Sequence, residues 1–226
     1  MVALTPTKVP LLENGDRLSR TEFERRYAAM PHLKKAELIE GVVYMAAAVR
    51  AKQHGNPHAL IVAWLGAYHA ATPGTYLADN ATVRLDLDND PQPDALLRIE
   101  PGAGGQSRIT EDDYIEGAPE LIFEVAASSA SYDLNVKLNA YRRNGVQEYV
   151  VWQIYDNEII WHRLEKSEYV LISPDQTGTI HSQIFPGLSL DVNAMQSRDL
   201  ATVLEQLQTT LKTPEHLAHI QALQSR

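Results

Sequence analysis

Two carboxylates interrupt segments that are otherwise typical of buried strands. Asp94 opens the segment DALLRI after Gln92-Pro93, and Glu124 lies within the apolar run LIFEVA. A lone strand carboxylate is often structural, as a turn cap or a side chain directed outward at a strand end. A buried one is costly unless it is paired or bound to a cation. If the two strands are neighbours, Asp94 and Glu124 can bind one hard cation such as Mg²⁺, which prefers oxygen ligands.

A lysine lies within the apolar face of a predicted helix. Lys137 follows Leu134 by three residues and precedes Tyr141 by four. The structural interpretation is a side chain at the edge of the stripe that extends its amine to solvent. The functional interpretation is an ammonium beside the carboxylates that orients water or offsets charge on a phosphoryl transition state. In that role, Lys137→Met would slow catalysis about a hundredfold and leave stability nearly unchanged.

Histidine spacing gives weaker evidence for metal chemistry. His54 and His58 are four residues apart, which places them on one helix face if the helix begins that early. Gly55-Asn56-Pro57 predicts instead that the helix starts at Pro57, because proline favours the first helical turn. The chain has no HExxH, Walker A or GxSxG motif. A histidine-based transition-metal site is therefore weakly supported.

The elements that must position these residues alternate between helices and short strands. Apolar spacing predicts helices over 58–72 and 132–144. The segment ELIEGVVYM predicts a β-hairpin that turns at Glu40-Gly41, and LIFEVA and EYVVWQIY predict buried strands. The pattern indicates an α/β or α+β fold in which helices flank a mixed β-sheet.

The C-terminal part of the chain has a different pattern. We divide the sequence into a lead-in over 1–18, a main domain over 19–195 and a helical tail over 196–226. An apolar stripe predicts one amphipathic helix in the tail, and a second short helix follows from Pro214. We expect this stripe to be buried against the core or a second subunit, and we favour a homodimer. The stripe consists of Leu200, Val203, Leu204, Leu207 and Leu211.

Composition limits the class of protein. The 226 residues are 44% hydrophobic and 22% charged, as in soluble globular proteins. No apolar run approaches the roughly 20 residues of a membrane span, and the first residues lack the apolar core of a signal peptide. The absence of cysteine excludes disulfides, thiolate zinc sites and a catalytic thiol. We expect a cytoplasmic protein with no membrane association.

The charge balance argues against tight, indiscriminate binding of nucleic acid. The chain has 20 basic and 29 acidic residues and a net charge of −9, whereas neutralisation of duplex phosphates needs a basic surface. Its best basic clusters are pairs, namely Arg25-Arg26, Lys34-Lys35 and Arg142-Arg143. Surplus carboxylate is what a divalent-metal site requires, so the balance is compatible with a metal-dependent enzyme.

Taken together, these segments resemble a known family. ELIEGVVYM, PHALIVAWL, QPDALL and PELIFEVAASSASYDLNVKLNAYRRNGVQEYVVW are similar to the Uma family, whose members are described as putative restriction endonucleases of the PD-(D/E)XK nuclease superfamily. The resemblance runs from about Leu33 to Leu190 and is most specific between Pro119 and Trp152. It implies a restriction-endonuclease-like fold and an endonuclease that hydrolyses DNA phosphodiester bonds.

The resemblance assigns roles to the residues already singled out. Pro93-Asp94 corresponds to the first acid of the superfamily and Glu124 to the second. The usual lysine lies two residues after the second acid, where this chain has Ala126. In this family the lysine is displaced onto the following helix, which corresponds to Lys137. The resemblance therefore implies that Asp94, Glu124 and Lys137 are the catalytic residues.

The resemblance also implies the cofactor and its further ligands. Mg²⁺ or Mn²⁺ would be held by Asp94 and Glu124, with the carbonyl of Val125 or Ala126 and with Glu37, which matches a family acid before the hairpin. His58 matches a histidine of the family, which implies that His58 is an accessory residue of the site. The partner would be DNA, bound weakly or through a targeting protein.

An alternative function remains open on the sequence. A chain with this fold can be a catalytically inactive DNA-binding or scaffold protein, because fold alone does not determine function. The joint presence of Asp94, Glu124 and Lys137 argues against this alternative, since loss of activity would be expected to remove at least one of them.

Overall fold

The structure is a computed structural model that describes residues 9–45, 49–127 and 129–225. The strands in these ranges are β1 (Ala36–Ile39), β2 (Val42–Met45), β3 (Thr75–Asp79), β4 (Val83–Arg84), β5 (Ala95–Ile99), β6 (Arg108–Ile109), β7 (Ile115–Glu116), β8 (Leu121–Ala126), β9 (Glu148–Gln153), β10 (Glu158–Glu165), β11 (Glu168–Leu171), β12 (Thr179–His181) and β13 (Ser189–Asp191). The helices are α1 (Arg20–Ala28), α2 (Asn56–Ala71), α3 (Ala130–Tyr132), α4 (Leu138–Asn144), α5 (Val192–Gln196), α6 (Leu200–Thr210) and α7 (Pro214–Gln224).

The centre of the fold is a six-stranded sheet in the order β11-β10-β9-β8-β5-β3. Strands β8 and β9 are parallel, and the other neighbouring pairs in this sheet are antiparallel. Every residue of β8 and of β9 is buried, which explains why these segments are nearly continuous apolar runs. The predicted α+β fold with a mixed sheet is confirmed.

Helices cover both faces of the sheet. On one face, Trp64 of α2 and Leu207 of α6 belong to the same buried cluster as Phe123 of β8. On the other face, Tyr141 of α4 packs in a cluster with Ile122 of β8. The alternation of side chains along β8 therefore divides the core into two layers. No helix in the described ranges is both long and apolar enough to cross a membrane.

The β1–β2 hairpin forms as the sequence predicted. Glu40 and Gly41 occupy its two-residue turn with φ values of 52° and 70°, as in the hairpin turns whose twist matches that of the strands. The hairpin packs against Phe23 of α1 through Leu38 and Val43. This small third cluster holds β1 in place beside the main sheet.

The C-terminal helices pack onto the core of the same chain. Val203 and Leu207 are fully buried and Leu211 is 8% exposed, all within the cluster that contains α2. The core of the same chain therefore buries the stripe, and no second subunit is needed to cover it. The stripe consequently gives no support to the homodimer.

A buried aspartate links the hairpin to the segment that leads into β5. The backbone N–H of Asp90 donates to the carbonyl of Leu38 at 2.7 Å, and the N–H of Leu38 donates to the carbonyl of Asp90 at 3.2 Å. One side-chain oxygen of Asp90 is buried without a hydrogen-bond partner. Burial, followed by the charge of Glu24, raises the pKa of Asp90 to about 8.

This shift predicts a specific pH dependence of stability. The folded protein keeps a proton on Asp90 up to about pH 8, whereas the unfolded chain loses it near pH 4. Unfolding then releases a proton between these values, so the contribution of this group to stability falls as the pH rises from 4 to 8. In Asp90→Asn the group is neutral at every pH, and the variant should gain in melting temperature relative to the wild type between pH 5 and pH 8.5.

The matched control is Asp156→Asn, which removes a carboxylate from an exposed turn. Thermal unfolding followed by circular dichroism at both pH values measures the difference. A constant offset between Asp90→Asn and the wild type across this range would contradict the assignment.

Candidate active site

Asp94 and Glu124 come together where β5 begins beside the C-terminal half of the antiparallel strand β8. Asp94 immediately precedes β5, which pairs with β8 so that Ala95 lies opposite Phe123. The N–H of Asp94 donates to Glu124 Oε2 at 3.4 Å, and the N–H of Val125 donates to Asp94 Oδ2 at 2.8 Å. The structure therefore brings together the two carboxylates that the sequence singled out.

Lys137 reaches these carboxylates from the following helix. The predicted helix over 132–144 contains a π-helical turn, Asp133–Lys137, between α3 and α4. Lys137 Nζ lies 2.8 Å from Glu124 Oε1, 2.8 Å from Glu37 Oε1 and 3.8 Å from Asp133 Oδ1. Periodicity alone did not predict the π turn, a local widening that is frequent at functional sites. The ammonium is directed into the site and not to solvent.

Glu37 and Tyr141 complete the surroundings of Lys137 and Glu124. Glu37 Oε1 also accepts the N–H of Gln92 at 2.8 Å, which fixes the carboxylate beside the segment that precedes Asp94. Tyr141 donates its hydroxyl hydrogen to Glu124 Oε1 at 3.0 Å. The sequence placed Tyr141 in the apolar helix stripe and in the segment that resembles the family, and gave it no role in the site. Its hydroxyl is a polar group of the site.

Two further side chains contact Asp94: Lys35, which the sequence did not single out, and His54, which it offered only as weak evidence for a histidine metal site. Lys35 Nζ lies 3.4 Å from Asp94 Oδ1 and 3.1 Å from Asn80 Oδ1, and His54 Nε2 lies 3.1 Å from Asp94 Oδ2. Lys35 precedes Glu37 by two residues, a spacing that places both on one side of an extended segment. That alternation was the available signal for Lys35.

The histidines lie on one helix face, contrary to the expectation that the helix starts at Pro57. A π-helical turn, Ala51–Gly55, precedes α2, so helical backbone already begins before Pro57. The rings of His54 and His58 are 5.7 Å apart. His58 Nε2 donates to the carbonyl of Asp94 at 2.8 Å and lies 2.9 Å from Asp79 Oδ1. His58 therefore contacts the backbone of Asp94, whereas His54 contacts its carboxylate.

The backbone geometry changes the expectation for Ala126. Its carbonyl accepts the N–H of Ile154 at 2.9 Å, so that oxygen is directed towards β9 and away from Asp94. Val125 donates its N–H to Asp94, and in a strand the carbonyl of a residue points to the same side as its N–H. Of the two carbonyls that the sequence left open, that of Val125 lies on the side of the site.

Opposite electrostatic effects act on the two central carboxylates. Burial raises the pKa of Glu124 to about 8, against the charge of Lys137. Burial also acts to raise the pKa of Asp94, but the hydrogen bond of His54 and the charge of Lys35 outweigh it and hold that pKa below its ordinary value. The pKa values of these two carboxyl groups therefore shift in opposite directions, because burial dominates at Glu124 whereas the contacts of His54 and Lys35 dominate at Asp94.

Lys137 remains charged because carboxylates surround it. Burial lowers the pKa of Lys137, but the charges of Glu124, Glu37 and Asp133 raise it well above its ordinary value. Burial likewise raises the pKa of Asp133. The site therefore combines a charged ammonium with several carboxyl groups, of which Glu124 and Asp133 have raised pKa values.

These groups form the floor of one large pocket. Its volume is about 870 Å³, and it is lined by Lys35, Glu37, His54, Asp94, Glu124 and Lys137 among others. Tyr132 lies over Lys137, with the ring centre 5.4 Å from Nζ, and the ring of Tyr44 is 4.2 Å from that of Tyr132. The described residues contain no group of three or more His, Asp or Glu side chains already arranged as a metal centre.

Comparison with models of protein families shows to which family the chain belongs. The family model Uma2, described as a putative restriction endonuclease, matches residues 20–193. The chain belongs to the Uma2 family. A crystal structure of a putative nuclease belonging to DUF820 from Anabaena variabilis ATCC 29413 has a similar fold, with a TM-score of 0.59 and 14% sequence identity over 76% of this chain and 96% of that one. No curated protein matches the sequence.

For this Uma2 protein, the burial of Lys137 predicts a large effect of its removal on stability. Lys137→Met leaves Glu37 and Glu124 in a buried site without their shared cation, which should lower the free energy of unfolding by about 3–5 kcal/mol. This differs from the nearly unchanged stability expected from sequence, because the sequence did not show that the ammonium is paired and buried. Urea denaturation measures the change.

The double variant Glu37→Gln/Lys137→Met should recover part of the loss, because it removes one of the unpaired charges. Lys212→Met, at an exposed position after α6, is the matched control. Equal stability of Lys137→Met and Lys212→Met would show that the buried cluster does not depend on the ammonium.

Proposed function

We propose that the protein is a metal-dependent endonuclease that hydrolyses phosphodiester bonds in DNA. The observation that supports this proposal most directly is the convergence of Asp94, Glu124 and Lys137 in one pocket. Membership of the Uma2 family, described as putative restriction endonucleases, supports the same reaction class.

The charge of the pocket fits a divalent cation. Glu37, Asp94, Glu124 and Asp133 contribute four carboxyl groups, whereas the lysines in contact with them are Lys35 and Lys137. Oxygen donors in excess of cationic side chains are the environment that Mg²⁺ and Mn²⁺ prefer.

We assign the cation to Asp94 and Glu124, with the carbonyl of Val125 and with Glu37 as further oxygen donors. The remaining positions would be filled by water, as is usual for Mg²⁺, so a ready-made centre of three acidic or histidine side chains is not required. When bound, Mg²⁺ or Mn²⁺ supplies a Lewis acid that stabilises the attacked phosphate and acidifies water.

The chain's own residues hold the reacting groups in place. Lys137 carries a permanent positive charge beside Glu124, where it would stabilise the negative charge that develops on the phosphate. Tyr141 orients the Glu124 carboxylate through a hydrogen bond. His54 and Lys35 orient Asp94, and they act as positioning residues rather than catalytic ones.

Asp94→Asn tests the proposal. The substitution removes one of the two central oxygen donors and should abolish Mn²⁺ binding measured by calorimetry. Nicking of supercoiled plasmid in Mn²⁺ should fall by about a hundredfold or more, equivalent to roughly 2.7 kcal/mol of transition-state stabilisation. Asp88→Asn, which removes an exposed carboxylate, should bind and cleave as the wild type does.

Two results would contradict the proposal. Unchanged Mn²⁺ affinity in Asp94→Asn would exclude the shared cation site. Metal binding by the wild type with no cleavage of any nucleic acid would instead support the inactive DNA-binding or scaffold alternative.

A homodimer belongs to this proposal only for duplex substrates, because cutting both strands in one encounter requires two active sites. The buried tail stripe supplies no interface for it. If duplex DNA is the substrate, light scattering at micromolar concentration should give twice the mass of the 25.2 kDa chain. A monomer that still makes double-strand breaks in one encounter would refute this requirement.

A further inference from the structure

The acidic and basic groups of the active site lie deep in their pocket. Asp94 is 4%, Glu124 3%, Glu37 7% and Lys137 3% exposed. A scissile phosphate must approach these groups closely for Lys137 to act on it. The substrate must therefore enter the pocket, and contact with its rim is not sufficient.

A duplex is poorly suited to this entry. Its phosphates lie on the outside of a paired double strand that is stiff over roughly 150 base pairs, and kinking or unstacking it costs free energy. The pocket has a volume of about 870 Å³, within the range of roughly 300–1,000 Å³ that encloses small ligands. That space suits a nucleotide of a flexible strand.

The rim of the pocket offers apolar and aromatic surface. Tyr155, in the turn between β9 and β10, is 59% exposed, and Val49 is 68% exposed. Exposed aromatic rings beside a nucleic-acid site stack on unpaired bases, which a single strand offers without the cost of opening a duplex. The exposed Arg50 also lines the pocket, and its guanidinium is a suitable partner for a backbone phosphate.

Charge favours the same type of substrate. The net charge is −9 and the basic residues occur at most in pairs, so the chain lacks the sequence signature of a surface that neutralises many duplex phosphates. A single strand can gain affinity from base stacking, which does not depend on a positive net charge.

We propose that the substrate of this site is a single-stranded nucleic acid, which enters the pocket with one base stacked on the ring of Tyr155. This inference rests on the proposed nuclease function and specifies its substrate class. A single strand needs only one active site per cleavage, so this substrate does not require a homodimer.

Binding of labelled oligonucleotides tests the inference. Fluorescence anisotropy with the full-length protein in Ca²⁺ compares a 20-nucleotide DNA strand, the fully paired duplex of the same sequence and the corresponding RNA strand. The single DNA strand should bind at least about tenfold more tightly than the duplex. RNA that binds as tightly as DNA, or more tightly, also supports the single-strand class and shows which sugar is preferred. Equal or tighter binding of the duplex overturns the inference.

Substitutions at Tyr155 test the stacking contact. Tyr155→Leu keeps an apolar side chain but removes the aromatic ring, and should weaken single-strand binding about tenfold. Tyr155→Phe should bind as the wild type does, and so should Leu171→Ala, an exposed apolar position on β11 outside the pocket. Wild-type affinity in Tyr155→Leu overturns the assignment of the base to this ring.

A parallel cleavage assay in Mn²⁺ separates this inference from the function on which it rests. Single-strand binding that depends on Tyr155, without cleavage of any strand, rejects the nuclease activity and supports the binding mode. Cleavage of duplex as fast as single strand supports the nuclease and overturns the inferred substrate class.

Discussion

The buried ammonium of Lys137 connects carboxylates from separate parts of the fold. It lies 2.8 Å from Glu37 on the β1–β2 hairpin and 2.8 Å from Glu124 on the central strand β8. Without a cation, these carboxylates and Asp133 would repel each other in a poorly solvated site. The positions of the hairpin, of β8 and of the π-helical turn that carries Lys137 are therefore coupled. Each element must be in place before the charges of the others are compensated.

The sequence was informative where a residue conflicts with its local pattern. Asp94 and Glu124 were recognisable because they interrupt apolar strands, and Lys137 because it lies within an apolar helix stripe. Such conflicts are expected at functional sites, where chemistry overrides local preference. The central strands and the Glu40-Gly41 hairpin were also predictable, because their patterns are local.

The rest of the site depends on contacts between residues distant in sequence. Lys35 is ordinary in its own segment and the spacing of His54 is only weakly informative, so both become part of the site only because Asp94 lies next to them. The direction of the Ala126 carbonyl follows from its ladder partner on β9, which no pattern within β8 reveals. The amphipathic stripe of α6 likewise showed that it must be buried, but not that the core of the same chain buries it.

The acidic character of the chain is compatible with a nuclease when the pocket is considered with the divalent cation that we propose for it. Four carboxyl groups and two contacting lysines form the floor of the pocket, and each ionised carboxylate there repels a phosphate. A divalent cation reduces that repulsion, and a bound phosphate in turn increases the affinity for the cation, because coupling between two ligands is reciprocal. Most of the binding free energy for nucleic acid would then come from the contact between the cation and the reacting phosphate, and little would come from a basic surface. On this proposal the enzyme gains little from contacts along an intact duplex, and its selectivity is set by which strands reach the floor of the pocket.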